Sequence, residues 1–526
     1  MPWLVALAGA GVTAIAAESV AAHYRYGPVD DAFISLRYAA NWATGRGLCF
    51  NPGEFVEGYT NFFLVLIEAG AIRCGAHPVL AMSLVGRASL ACLGGLLAAF
   101  VFVHVFPGAV LTAITAGALS ALNAVLICWS FSGMETTLLA LLLVAAMMAV
   151  LAAKATPGAI LAAGCLVLAA MTRPDAVVFV PAAAVVLYLR RRSIGPVVWL
   201  VAVFVVVFGG YYAARAIHFG YLFPNTFYAK LDYGNTWLAQ RGALYVWDFV
   251  RASPVLFALV VASLALVRRA SHWVKACLLA VGTYLSAIIY MGGDHFAMFR
   301  FMAPIVPFVA LAALYPAVAL IARYRLSRWR SMAPVALSLI GLGASDLLVG
   351  RQSKRGEVPP MTHHERFLLE CKCARRWENM GRWFKLNAPP EASLATIAVG
   401  AIGYFSDLKI IDPHGIVNPA IAHLGRELGR GDAGHEKYDI QQLLSQRPSY
   451  ILLVNFLTKA PVPSEALPGV LWGEFSKALA RDPHLYEQYR HRAIRLGDHY
   501  LNVFVRRGLP APGLPTSAFH SSGLAG

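Results

Sequence analysis

Residues 26–63 read YGPVDDAFISLRYAANWATGRGLCFNPGEFVEGYTNFF. The stretch is too polar to cross a bilayer, yet it follows the long apolar run 3–22. After Asp30-Asp31 the apolar residues Phe33, Leu36 and Ala40 recur at helical spacing, with Ser35, Arg37 and Asn41 on other faces. This predicts an amphipathic helix lying along a membrane surface, with paired carboxylates at its start. One aspartate suffices for an N-cap, where it accepts free amide hydrogens and meets the helix dipole. The second is then available for chemistry. A carboxylate beside hydrocarbon is costly to keep. Of the eleven acidic residues before position 345, all but Glu18 fall in or beside alternate gaps between apolar runs. Chemistry is therefore expected on one membrane face.

Working outward, 526 residues at 58% hydrophobic and 14% charged exceed what one or two soluble cores can bury. Runs near 3–22, 79–103, 108–128, 134–153, 158–171, 175–189, 196–214, 253–267, 273–291, 301–322 and 332–349 approach the roughly 20 residues that span a bilayer. The reading is a polytopic α-helical membrane protein of about eleven transmembrane helices. The run 62–72, interrupted by Glu68, is read as interfacial or re-entrant. A formal charge of +16 raises nucleic acid as a partner. However, Lys and Arg sit in short clusters between apolar runs, as topology signals do, and no basic stripe interleaved with aromatics occurs.

The clusters Arg190 to Arg192, Arg268-Arg269 with Lys275, and Arg323 to Arg330 lie in gaps without acids, which assigns them to the cytoplasm. The other gaps and the chain after 350 then face outward, giving a multi-pass protein of the inner (cytoplasmic) membrane. Residues 1–350 form the membrane part, with a first outer loop at 23–78. Residues 351–510 have ordinary composition and short apolar clusters (394–399, 409–411, 450–454), predicting an extracytoplasmic α/β domain. Within it, 395–422 reads as strand, glycine turn, strand and then a helix started by Asn418-Pro419. Gly400 and Gly403 lack dinucleotide-fingerprint spacing. Residues 511–526 are expected to be disordered. No CxxC or Cys/His zinc pattern occurs, and a disulfide among Cys49, Cys74, Cys371 and Cys373 is compatible with an outer location.

The string DDAFISLRYAANWATGRGLCFNPGEFVEGYTNF (30–62) resembles the first extracytoplasmic loop of GT-C membrane glycosyltransferases, most closely the mycobacterial terminal β-(1→2) arabinofuranosyltransferase group. The resemblance continues, in order, in SGMETTLLALLL (132–143), TRPDAVV (172–178), FGYLFPNTFYAK (219–230), GGDHFAMFRFMAPIVP (292–307) and GAIGYFSDLKIIDPHGIVNPAIA (400–422). Relatives usually carry an aromatic after Gly-Gly-Asp; this chain has His295, then Phe296. The resemblance implies transfer of a sugar, with arabinofuranose the expected unit, from a polyprenyl-phosphate donor to an envelope glycan acceptor outside the membrane. It also implies that Asp30 or Asp31 is the base.

The residues fit such chemistry. An acceptor hydroxyl needs a carboxylate to take its proton during attack, and a single displacement inverts the anomeric centre. The leaving phosphate needs cations or donors. Arg173, Lys230 and Arg300 end apolar spans and are the candidates, with Glu135, Asn225, Asp294 and His295 in the same blocks. The competing structural readings are a helix stop and restart for Arg173-Pro174-Asp175, snorkelling for Arg300 and Lys230, and a Ser132-x-x-Glu135 capping box. His295 could share an ion with Asp30 and Asp31. A divalent metal is compatible with paired acids but is not expected, and no cofactor is required.

The aromatic-rich stretch 211–247, read as a loop, would border the carrier's groove. Trp377, Trp383, Tyr404 and Phe405 would offer the acceptor aromatic platforms, unless the tail is a structural lid. Three rivals are a secondary transporter, a lipid-linked oligosaccharide ligase or polymerase, and a noncatalytic subunit. Glu18 and Arg87 are the only charges well inside the expected spans, which argues against an ion path.

Overall fold

Apolar runs fold as helices because no water is present to satisfy their amides and carbonyls. The computed structural model describes residues 1–153, 155–231, 235–324, 360–431, 433–453, 457–471 and 473–509, with 336, 340, 343, 349, 351 and 353 between them. Most of the expected span 332–349 and all of the tail 511–526 lie outside the described residues. Helices occupy the other expected runs: α1 (Pro2–Tyr24), α4 (Pro78–Phe100), α5 (Val110–Ala121), α6 (Ala124–Ser130), α7 (Thr136–Ala152), α8 (Thr156–Thr172), α9 (Phe179–Arg191), α10 (Gly195–Phe219), α13 (Pro254–Ala265), α14 (His272–Met291) and α15 (Val306–Tyr324). Between them lie α2 (Asp30–Ala43), α3 (Phe62–Arg73), α11 (Asn225–Lys230) and α12 (Thr236–Ala252). Among the described residues five helices are long and apolar enough to cross a membrane, or seven if each bent pair is one span.

The bent pairs correct two expectations. The run 108–128 is not straight but turns by 65° between α5 and α6, where the Asn123 side chain accepts from the Val125 amide at 3.0 Å and restarts the helix. The stretch 211–247 is not a loop: its first part completes α10, and its later parts form α11 and the start of α12, which meets α13 at 100° across Ser253-Pro254. Small residues bring α1 and α4 close: a side chain at Gly94 would collide with Thr13, and one at Gly95 with the Ala6 backbone. An ion pair there joins Glu18 to Arg87 at 2.7 Å, so each intramembrane charge neutralises the other.

The C-terminal domain begins with α16 (His363–Asn387), whose Thr362 and Glu365 form a capping box. A five-stranded mixed sheet follows, in the order β2-β1-β3-β5-β4, with β1 Ser393–Thr396, β2 Lys409–Ile411, β3 Tyr450–Leu452, β4 Tyr489–Leu496 and β5 His499–Arg506. β1 pairs with β2 in parallel, which a tight glycine turn cannot connect. The helix α17 (Ala401–Ser406) makes the crossover in place of the expected turn. The expected start at Asn418-Pro419 does open a short helix, α18 (Pro419–Ala422). All eight cysteines are free thiols.

Candidate active site

α2 does not lie on a membrane surface with a wet polar face. It is sandwiched between the helical bundle and the C-terminal domain, with Ser35, Arg37 and Asn41 all buried. Ser35 donates to the Asn61 side-chain oxygen and Asn41 to the Cys49 carbonyl, both within the first loop, while Arg37 reaches the C-terminal domain. Arg37 donates through Nε to the Phe50 carbonyl at 2.8 Å, and through its two Nη atoms to the carbonyls of Gly403 at 2.6 Å and Leu408 at 2.7 Å. The Asn51 amide donates to the Ile410 carbonyl at 2.8 Å, and its oxygen accepts from the Ile410 amide at 3.0 Å. The block 400–422 is thus seated on the first loop.

The paired aspartates part company at this seam. Neither caps α2, whose N-cap is Val29 without a side-chain bond. Asp30 instead caps α17, accepting from the amides of Gly400 at 3.1 Å and Ala401 at 2.7 Å. Gly400 is required there, since a Cβ would overlap the Asp30 backbone. Desolvation pushes the Asp30 carboxyl up to about 7, against the pull of the two amides. Asp31 faces the other way, into a cavity of about 470 Å³, with its side chain 22% exposed and Arg300 Nη1 at 3.9 Å.

Four carboxylates (Asp31, Glu135, Asp175, Asp294) and four cations (Arg173, Lys230, Arg241, Arg300) line this cavity together with His295. Arg300 grips Asp294 through Nε at 2.6 Å and Nη2 at 3.1 Å, leaving Nη1 toward Asp31. Met298 and Phe299 precede it in the left-handed region, at φ 54° and 46°, a conformation that costs about 1–3 kcal/mol per residue and marks functional sites. The Phe299 ring stacks on His363, and the Met298 carbonyl accepts from Trp129 at 2.8 Å, which fixes the turn. Arg173 donates to Asp175 at 2.9 and 3.3 Å and to Glu135 at 3.2 Å. Tyr284 fixes Asp175 at 2.6 Å. Among the described residues no carboxylate pairs with Lys230, whose chain runs beside Gly434.

Several expectations are corrected here. Glu135 forms no capping box with Ser132: its carboxylate is taken by Arg173 and by the Asn61 amide at 3.0 Å. Ser132 instead donates to the Trp129 carbonyl. Asn225 is not in the cavity. It is buried and holds the Gly415 and Ile416 carbonyls at 2.6 and 3.0 Å. His295 meets Asp294 at 3.5 Å and not Asp30, which points to the seam. No cluster of three or more His, Cys, Asp or Glu able to hold a metal occurs among the described residues. Trp383 and Phe405 are core residues and so are not platforms, while Trp377 and Tyr404 pack partly buried against the core. Asn61, Arg241 and Tyr284 had escaped the motif reading; Asn61 lay within the first block, in the string EGYTNF.

The far wall of the cavity is apolar. Phe208 and Tyr212 of α10, Tyr290 and Met291 of α14, and Val177 and Val178 ahead of α9 line it. Tyr290 is 56% exposed and Val177 38% exposed, so this wall runs out onto the apolar outer surface of the bundle. The cavity therefore joins an ionic floor to an apolar mouth.

Residues 369–504 match the family model DUF8728, a domain of unknown function. No curated protein matches the chain. Among solved structures it is similar to ArnT from Cupriavidus metallidurans bound to undecaprenyl phosphate, at 10% identity and a TM-score of 0.51, covering 95% of this chain and 99% of that one. It is also similar to the oligosaccharyltransferase AglB from Archaeoglobus fulgidus in complex with an inhibitory peptide and a dolichol-phosphate. There the identity is 12% and the TM-score 0.50, covering 92% of this chain and 71% of that one. At these identities the likeness is one of fold: a polytopic helical membrane architecture, which in this chain carries a small C-terminal α/β domain.

Proposed function

We propose that the protein is an inverting membrane glycosyltransferase that moves a monosaccharide from a polyprenyl-phosphate carrier to a glycan acceptor, with Asp31 as the base. One observation carries this reading: of the two aspartates only Asp31 is open to a cavity that pairs cations with an apolar wall. The acceptor oxygen attacks the anomeric carbon as its proton passes to Asp31, and the carbon–oxygen bond to the phosphate breaks with its electrons on the phosphate. Lys230 and the Nη1 of Arg300 receive that charge. The isoprene chain leaves between α10 and α14. Arg173 and Glu135 position the floor through Asn61, and the reaction as written uses no cofactor.

The donor sugar of this reading is arabinofuranose and the acceptor an envelope glycan, on the strength of the sequence blocks. The protein then sits in the inner membrane with its cavity and C-terminal domain on the extracytoplasmic side. The likeness of fold to proteins solved with undecaprenyl phosphate and dolichol-phosphate supports the carrier class. The test is incubation of purified protein with a panel of short-chain prenyl-phosphate pentoses and hexoses, with the product anomer assigned by NMR. Consumption of one donor with inversion is expected. No consumption by the wild type, or a product of retained configuration, contradicts the reading. Transfer only from prenyl-diphosphate oligosaccharides would make it a ligase.

A further inference from the structure

We infer that a second cavity, of about 360 Å³ in the C-terminal domain, binds the neutral, polyhydroxylated acceptor chain and delivers its end to Asp31. The two cavities abut. Arg241, which lines the first, donates to Glu436 at 3.0 Å and to the Gly431 carbonyl at 3.1 Å, both lining the second. His295 of the first cavity meets His435 of the second edge-on with ring centroids 5.4 Å apart, and His435 meets His414 at 4.9 Å. A continuous row of imidazoles therefore leads from the second cavity to the residue beside Asp294.

The chemistry of the lining selects the ligand. His414 Nδ1 lies 3.1 Å from the Lys437 carbonyl. A carbonyl only accepts, so Nδ1 carries the proton and Nε2 is an acceptor. The Arg426 guanidinium lies over the Tyr438 ring at 4.5 Å, and Phe475 packs against His414 at 5.4 Å and Tyr438 at 5.7 Å. Glu436 is saturated by Arg241 and by the amides of Gly429 and Gly431, and so holds the wall. Donors on Arg426 and acceptors on His414 and Glu474 therefore line the cavity together with aromatic rings, as sugar hydroxyls and ring faces require. Two arginines against three glutamates leave no positive excess for a polyanion. The volume falls within the roughly 300–1,000 Å³ of ligand pockets. Unlike the first cavity, this one is lined by the α/β domain and not by the helical bundle, so the carrier belongs in the first and the glycan in the second.

The direction of the glycan rests on the transferase reading; its binding does not. The experiment uses the full chain in lipid nanodiscs and neutral oligosaccharides of pentoses and hexoses, two to six units long, with binding read by saturation-transfer NMR without donor. One series should bind, and Arg426→Ala and Tyr438→Ala should each weaken it about tenfold or more. Lys459→Ala, at an exposed position of the same domain, serves as the unchanged control. In turnover the same two variants should raise the acceptor KM about tenfold while kcat changes much less. The inference is overturned if no neutral oligosaccharide binds, if only phosphorylated or uronate glycans bind, or if both variants bind as the wild type does. Glycan binding with no turnover from any prenyl-phosphate sugar sinks the transferase and keeps this site. Turnover with an acceptor KM unmoved by both variants does the reverse.

Discussion

The seam between α2 and the C-terminal domain, and the cavity one residue away, are built from the same residue types to opposite ends. In the seam Asp30, Arg37 and Asn51 are matched by backbone donors and acceptors of the block 400–422. In the cavity Asp31 has one distant cation, and Lys230 has no carboxylate among the described residues. Successive residues of a helix point about 100° apart, so one peptide bond suffices to separate a carboxylate that fastens a domain from one left for chemistry. A bound aspartate holds structure because its oxygens are occupied; a base must have an oxygen unoccupied.

The sharpest break in this comparison is Asp31→Asn, which should lower transfer about 10²- to 10⁴-fold and leave the melting temperature near that of the wild type. A variant that also melts early would place Asp31 in the seam. Arg37→Ala should do the opposite. It strips donors from three buried carbonyls and should cost about 3 kcal/mol or more, read as a lower melting temperature of the purified protein. Unchanged stability would contradict the seam. Lys230→Ala should reduce donor kcat/KM about 10- to 100-fold, with Lys230→Arg recovering part of it; an effect on acceptor KM alone would move Lys230 to the other substrate.

The smallest expected effect is one of pH. Asp30 titrates near 7 in the fold against an ordinary 3.8, so the folded chain holds its proton more tightly than the unfolded one. Its contribution to stability is greatest below the ordinary carboxylate range and declines as pH rises to about 7. Asp30→Asn cannot ionise and should flatten that part of the melting profile; parallel wild-type and variant profiles would contradict it.

The apolar runs were legible because hydropathy reports which segments leave water, and the first loop because two carboxylates there needed a reason. Bends were not: hydropathy carries no direction, and only Pro254 marked one of the two breaks. Asp30, Arg37 and Asn225 were misjudged or undervalued because their partners lie 370, 366 and 190 residues away, contacts that no local pattern encodes. The aromatic pair Trp383 and Phe405 looked like platforms because composition cannot distinguish a stacking face from a core face. Arg173 and Arg300 each combined both readings, structural through Asp175 and Asp294 and still facing the cavity.

The account turns on Asp31 taking a proton, and the most direct measurement bypasses that step. Purified Asp31→Ala protein is given a prenyl-phosphate sugar with and without azide, a nucleophile with no proton to lose. Azide should restore donor consumption and yield the glycosyl azide with inverted configuration, while the alcohol acceptor remains unreactive. Donor bound but unconsumed in azide, or transfer to the alcohol at the wild-type rate, would contradict the assignment.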